Sequence, residues 1–176
     1  IGSSNDSFYG SAANGDFAIA IGGGISGASG AVANGVLAIA IGTGANSVGT
    51  RSTAVGAFAG GSAHDGSSYN SAFGDEAGFN INGAGNTAVG VSAGYNVTGD
   101  FNIASGNAAG QNVSGGSNTA DGAAAGASVT GDNNSAFGRD AGSTVNGSSN
   151  VAVGHFAGNG VTGDFNTTIG HNSGFG

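Results

Sequence analysis

A repeat with a period of 16 runs from Asn70 to the end of the chain. Its copies share the pattern N-x-A-x-G-x-x-A-G, although the seventh copy carries Thr168 and Ser173 where the others have alanine. The repeats begin at Asn70, Asn86, Asn102, Asn118, Asn134, Asn150 and Asn166. A fixed short period is typical of a solenoid in which each repeat forms one coil. The sequence therefore predicts an all-β solenoid, a β-roll of short parallel strands with about 16 residues per coil.

The residue types within one repeat predict the cross-section of a coil. Numbered from the asparagine, positions 5, 9 and 14 are glycine, which predicts turns with positive φ or close backbone contact. A coil of this length accommodates two strands of about 4–5 residues and two tight turns. Alanine at positions 3 and 8 and a β-branched residue at position 12 are expected to fill a thin interior. The predicted interior includes Ala72, Ala88, Ala104, Ala120, Ala136, Ala152, Val97, Val113, Val129, Val145 and Val161. The asparagine at position 1 is expected to bond its own turn and the asparagine one coil away.

The N-terminal third follows the same pattern with looser spacing. The segment Phe17–Gly22, FAIAIG, recurs as LAIAIG at 37–42, and TAVG at 53–56 is a third relative. We therefore expect residues 1–51 to form irregular coils and residues 52–176 to form regular coils of one continuous solenoid domain. The sequence begins and ends within repeat-like segments, which predicts that it is part of a longer protein.

The early strands are apolar on both faces, which predicts self-association. Alanines alternate with large apolar residues, and a strand that is apolar on both sides is usually buried on both sides. The alanines fit inside the coil, so the large residues need a partner from outside it. The expected interface comprises Phe17, Ile19, Ile21, Leu37, Ile39 and Ile41. Because so thin a coil encloses little apolar volume, packing several chains side by side is expected to stabilise it.

The composition excludes several classes of function. Ten acidic residues and two arginines give a net charge of −8, which argues against binding nucleic acid or anionic membranes. Cysteine is absent, so disulfides and thiolate metal sites are excluded. The chain has 40 glycines but lacks the three-residue period of collagen, and its 38% hydrophobic content, in phase with the repeat, argues against disorder.

The repeat units resemble the head repeats of trimeric autotransporter adhesins, the YadA-like, haemagglutinin-type family of bacterial surface proteins. The family pattern N-S-V-A-I-G-x-x-A is echoed by NTAVG at 86–90 and NVAVG at 150–154, and the resemblance extends from about Phe17 to Gly174. It implies a left-handed parallel β-roll, a side-by-side homotrimer and attachment to host cells or extracellular-matrix proteins, without catalysis or cofactor. It also implies display at the bacterial outer membrane through an anchor outside this segment. One departure is the period of 16, where 14 is commoner in the family.

Few residues suggest a chemical site. His155 and His171 share position 6, so they should stack about 4.8 Å apart and could hold a transition metal, although two exposed turn histidines are the simpler interpretation. His64, Asp65 and Tyr69 belong to an insertion that could form a protruding loop and contact a ligand. A spaced acidic row, Asp100, Asp132 and Asp164, recurs in every second repeat and is expected to be solvated.

Three other functions compete with adhesion. An ice-binding solenoid needs a regular threonine array, whereas position 13 mixes asparagine, threonine and serine. A phage-fibre segment would also be fibrous, but the A-I-A-I-G units argue against it. An enzyme is the least favoured, because the acyltransferase hexapeptide, the calcium-binding nonapeptide and the P-loop lysine are all missing.

Overall fold

The computed structural model describes residues 10–24, 29–61 and 67–174. In these ranges the chain forms 13 short β-strands, and no helix there is long and apolar enough to cross a membrane. The strands are Ala12–Ala13 (β1), Ile19–Ile21 (β2), Val32–Ala33 (β3), Ile39–Ile41 (β4), Asn46–Ser47 (β5), Thr53–Val55 (β6), Ser71–Phe73 (β7), Thr87–Val89 (β8), Ile103–Ser105 (β9), Thr119–Asp121 (β10), Ser135–Phe137 (β11), Val151–Val153 (β12) and Thr167–Ile169 (β13).

All strands pair in parallel, one above another, as a solenoid requires. Ten of them form one sheet, which we call the long sheet, in the order β13-β12-β11-β10-β9-β8-β7-β6-β4-β2. Strands β1, β3 and β5 form a separate three-stranded sheet. From Asn82 onward, another side of each coil contributes a single bridging residue, and these residues pair in parallel as far as Thr162. The predicted all-β parallel solenoid, with one coil for each repeat of the sequence, is thus confirmed.

The long sheet keeps its register through the irregular N-terminal coils. Ile19 pairs with Ile39, and Ile39 with Thr53, although the first of these two coils is longer than the second. Thr53 pairs with Ser71, after which every coil has the same length, as in the steps from Ser71 to Thr87 and on to Ile103. The differences in coil length are therefore absorbed outside the strands, and the central alanines of the long sheet stay aligned from β2 to β12.

The interior of the coil is a narrow column of small side chains. The alanines of positions 3 and 8 form one continuous cluster, and the β-branched residues of position 12 form another beside it. All eleven residues predicted for the interior lie in this column, with Val161 only partly buried in a terminal coil. A core of alanine and valine brings the walls close together but encloses little apolar volume, because each side chain is small.

A ladder of buried asparagines joins successive coils along one corner. The Asn86 backbone N–H donates to Oδ1 of Asn70 at 2.8 Å, and the pattern repeats at every step to Asn166. Each side-chain amide from Asn86 to Asn134 also donates to the position-14 carbonyl of a neighbouring turn, as Asn86 does to Gly99 at 3.0 Å. The predicted ladder is confirmed, and it satisfies backbone groups that would otherwise be buried without partners.

The strands are shorter than the sequence led us to expect. Each strand of the long sheet has only three residues, because left-handed conformations interrupt the chain more often than glycine alone would indicate. Besides the glycines, positions 7, 11 and 16 are left-handed, as at Ser92 (φ 52°), Asn96 (φ 58°) and Phe101 (φ 59°). Such φ values disfavour most side chains. Each coil therefore has more corners than the two turns that the sequence predicts.

Candidate interaction surfaces

The outer face of the long sheet carries an exposed apolar stripe along nearly its whole length. Each strand of this sheet directs its first and third residues outward and buries its central residue, except that Thr168 of β13 is only half-buried. The large apolar residues exposed on this face are Ile19, Ile21, Phe73, Val89, Ile103, Phe137, Val153 and Ile169, with Ile39, Ile41, Val55 and Val151 half-buried among them. Contiguous apolar patches of this kind mark interaction sites on soluble proteins.

The six residues predicted for an interface fall in two places. Four isoleucines, at 19, 21, 39 and 41, project from β2 and β4 on the outer face. Phe17 and Leu37 precede those strands and have φ of 57° and 58°, so strict alternation does not extend to them. They occupy the adjoining corner, where Phe17 is 85% exposed. The apolar surface therefore continues from the sheet face around the corner.

The apolar stripe is carried mainly by the third residues of the strands, because six of the ten first residues are threonine or serine. The row of third residues has one polar interruption. The outward third residue is Ser105 in β9 and Asp121 in β10, between Val89 on one side and Phe137 on the other. The carboxyl group of Asp121 is exposed. A charge within an apolar face opposes burial of that face unless it finds a partner.

The side of the coil that carries the bridging residues is polar and uncharged. The bridge row consists of Asn82, Thr98, Ser114, Thr130, Asn146 and Thr162, and all six are exposed. Beside it, a second asparagine ladder runs at position 11, where Asn80 donates to Asn96 at 2.9 Å and Asn96 to Asn112 at 3.1 Å. The two sides of the solenoid thus differ sharply in polarity.

The acidic row has a structural role that the sequence did not indicate. Oδ1 of Asp100 accepts from the backbone N–H of Ala84 at 2.8 Å, Asp132 from Gly116 at 2.7 Å, and Asp164 from Ser148 at 2.7 Å. Each aspartate therefore ties its own turn to the same turn of the preceding coil. In an intervening coil, Oγ of Ser148 accepts from the backbone N–H of Asp132 at 3.1 Å in the same way.

Three basic side chains stack at position 6 of consecutive coils, and we call Arg139, His155 and His171 the basic ladder. The rings of His155 and His171 have centroids 4.9 Å apart, as the repeat phase predicts. A guanidinium nitrogen, Nη2 of Arg139, contacts Nε2 of His155, and Nε of Arg139 lies 3.6 Å from Oδ2 of Asp140. Partial burial lowers the pKa of His155, and the positive charges of Arg139 and His171 lower it further, with Asp140 acting in the opposite sense.

The insertion proposed as a ligand-contact loop is described only in part. His64 and Asp65 lie outside the described residues. Tyr69 is exposed at a corner with φ of 61°, and the guanidinium of Arg51 lies 5.9 Å from its ring centroid. Sequence reasoning missed Arg139 as a neighbour of the two histidines, although its shared repeat phase carried the signal. It also missed the parallel stack of Phe79 on Tyr95, whose centroids are 5.1 Å apart.

Within the ranges that the structure describes, no three histidine, cysteine, aspartate or glutamate side chains converge closely enough to form a metal site. The prominent surfaces are therefore the apolar outer face, the polar bridge row and the basic ladder. Comparison of the chain with protein-family models, curated proteins and solved structures finds no significant match.

Proposed function

We propose that this chain is the head of a trimeric bacterial surface adhesin. In this proposal three copies pack side by side as left-handed β-rolls, with their outer faces forming the interfaces. The assembly stands on the cell surface, anchored to the outer membrane by other segments, and attaches to host-cell or extracellular-matrix proteins without catalysing a reaction. The observation that carries the proposal is the exposed apolar stripe along the outer face of the long sheet.

The stripe favours a second and third copy of the chain as its occupants. Ten strands at about 4.8 Å spacing extend about 45 Å, so a partner must present a matching apolar surface of the same length. A second copy of the chain presents such a surface, because its coils have the same spacing. Closed assemblies of identical chains are the usual way to bury such a surface. The small alanine and valine core leaves each single coil in need of that additional burial.

Sedimentation equilibrium tests the assembly. We expect a species with three times the 16.2 kDa mass of the chain. Phe73→Asp combined with Val89→Asp places two charges on the outer face and should give monomers, because buried unpaired charges are costly. The matched control, Asn82→Asp with Thr98→Asp, adds two charges on the bridge row and should leave the mass unchanged. A folded wild-type monomer would refute the trimer.

Removing the carboxyl group from the stripe should strengthen the assembly. Asp121→Val replaces the charge with a side chain that suits an apolar interface, and we expect a gain of about 1 kcal/mol per chain. The measurement is the thermal midpoint of the assembled protein at constant concentration. The control Asp75→Val removes the same charge two residues beyond the end of β7, where we expect a change below about 0.5 kcal/mol. Equal shifts in the two variants would indicate a general charge effect rather than an interface.

Attachment itself is tested with immobilised collagen, fibronectin and laminin. Three identical copies raise avidity without a tight single site, so the wild type should bind at least about 100-fold better than the monomeric Phe73→Asp/Val89→Asp variant. The charge-matched bridge-row variant serves again as the control. If the wild type binds none of these proteins or cultured host cells, adhesion is refuted even where the trimer forms.

The bridge row favours ice binding as a second candidate function. Its hydroxyl and amide groups are exposed, uncharged and regularly spaced by the coil repeat. Thermal hysteresis measurements distinguish the two functions, because an adhesin should show none. A hysteresis that disappears in Thr98→Asp/Thr130→Asp would favour ice binding over attachment.

A further inference from the structure

We infer that the basic ladder is a binding site for oxyanions carried along a polymer, such as the sulfate esters of a polysaccharide. Three of the five basic residues in the whole chain occupy one repeat position in three successive coils. The other two, Arg51 and His64, lie elsewhere in the sequence. This inference goes beyond the attachment proposed above, because the ladder is complete within one chain and needs no second copy.

The three side chains of the ladder follow one another from coil to coil. Arg139, whose side chain is 62% exposed, contacts Nε2 of His155, and the His171 ring follows 4.9 Å beyond. Phe156 lies beside the ladder, with its ring centroid 4.4 Å from that of His155 and 5.8 Å from the Arg139 guanidinium carbon. The exposed apolar residues Phe137, Val153 and Ile169 belong to the same three coils. The ladder is thus accessible to a ligand and flanked by apolar groups, while the carboxylate of Asp140 competes with an anion for Arg139.

The contact between Arg139 and His155 disfavours protonation of His155 in the unliganded ladder. A guanidinium can only donate, so its contact with Nε2 of His155 favours a neutral imidazole whose Nε2 accepts. The lowered pKa of His155 is consistent with a neutral imidazole. Partial burial disfavours the charged form, and so do the positive charges of Arg139 and His171. Asp140 pairs with Arg139 and offsets only part of that repulsion. An oxyanion would offset the remainder, so binding should be coupled to uptake of a proton by His155.

The same contact argues against a metal ion. A cation at His155 would have to displace the guanidinium from Nε2 and would then be repelled by it. Metal binding needs neutral imidazoles and strengthens as the pH rises, whereas an oxyanion favours protonated ones. The two ligands therefore predict opposite pH dependences.

A polymer suits the ladder better than a free ion. The chain carries a net charge of −8, so a single small anion gains little from three exposed groups in a negative background. Successive oxyanions on one polymer can contact successive coils, and the local attraction is then multiplied along the row. Screening at high salt should abolish such binding, because the groups are exposed.

Isothermal titration calorimetry with dextran sulfate tests the site, with neutral dextran and sodium sulfate as comparison ligands. In low salt we expect the wild type to bind dextran sulfate at least about tenfold more tightly at pH 5 than at pH 8. His155→Gln with His171→Gln should abolish that pH dependence. Arg139→Gln should weaken binding at both pH values. The matched control Arg51→Gln removes the other arginine and should bind like the wild type.

Several results would overturn the inference. These are the same affinity at pH 5 and pH 8, the same loss in Arg51→Gln as in Arg139→Gln, or no binding of dextran sulfate. Sodium sulfate binding as tightly as dextran sulfate would refute the polymer as ligand. Saturable binding of Zn²⁺ at pH 8 that is lost in His171→Gln, with no binding of dextran sulfate, would replace the anion site by a metal site. Sedimentation at both pH values separates these outcomes from failure of the proposed trimer.

Discussion

Replacing Gly106 with alanine is expected to disrupt the solenoid at its centre. Gly106 has a φ of 128°, which side chains rarely adopt, and an added Cβ would lie 2.7 Å from both the carbonyl carbon and the oxygen of Gly122 in the next coil. The obstacle is backbone on a rigid neighbour, so it cannot move aside at low cost. We expect Gly106→Ala to lower the free energy of unfolding by about 3 kcal/mol or more.

The matched control is Gly116→Ala, at position 15 of the same repeat. Gly116 does not have a positive φ, and equivalent turns accommodate Ala84 and Ser148. We expect a change below about 1 kcal/mol there. Urea unfolding followed by far-UV circular dichroism measures both variants. Similar midpoints for Gly106→Ala and Gly116→Ala would contradict the role assigned to the glycine column.

The same glycine column explains why the fold could be predicted from the sequence. Each position-5 glycine packs against the carbonyl of the next, and in the N-terminal coils Gly22, Gly42 and Gly56 form the start of that column despite unequal spacing. This close backbone packing recurs in every coil, so glycine recurs at the same repeat position and is visible in the sequence. Buried alanine and asparagine are constrained similarly by the thin interior and by the ladder.

Features formed by residues outside the coil interior could not be predicted in the same way. Left-handed residues at positions 7, 11 and 16 include serine, asparagine and phenylalanine, as at Ser92, Asn96 and Phe101. Their side chains are not selected by a shared interior contact, so no common residue type marks the corner. The strands were therefore predicted too long, and the hydrogen bonds of Asp100 and its equivalents to the preceding coil were not foreseen.

For a related reason, some features of the surfaces could be predicted from the sequence and others could not. Because equivalent repeat positions stack, the sequence alone predicts that His155 and His171 are neighbours in adjacent coils. It also aligns Arg139 with them, but only the contact of its guanidinium with Nε2 shows that the three groups interact. The outer face was inferred from β2 and β4, whereas register extends it through Phe73 and Val89 to the last coil.

Replacing Asn118 with alanine is expected to have an effect similar to that of Gly106→Ala by a different cause. The Asn118 side chain donates to Oδ1 of Asn102 at 3.1 Å and to the Gly131 carbonyl at 2.9 Å. Its Oδ1 accepts from the backbone and side-chain nitrogens of Asn134 at 2.9 and 3.0 Å. Alanine removes all four bonds and leaves buried backbone groups without partners. At about 1 kcal/mol for each bond, we expect a loss of about 3 kcal/mol or more in the free energy of unfolding.

The matched control for Asn118→Ala is Asn146→Ala in the bridge row. Asn146 is exposed, and its side chain forms no hydrogen bond with any residue that the structure describes, so we expect a change within about 0.5 kcal/mol. Asn118→Asp separates the two halves of the ladder, because a carboxylate still accepts from Asn134 but cannot donate to Gly131. At neutral pH it should destabilise at least as much as alanine, since a buried charge is added where donors are lost. If Asn118→Ala and Asn146→Ala unfold at the same urea concentration, the ladder does not stabilise the solenoid, and its regularity would reflect repeat duplication alone.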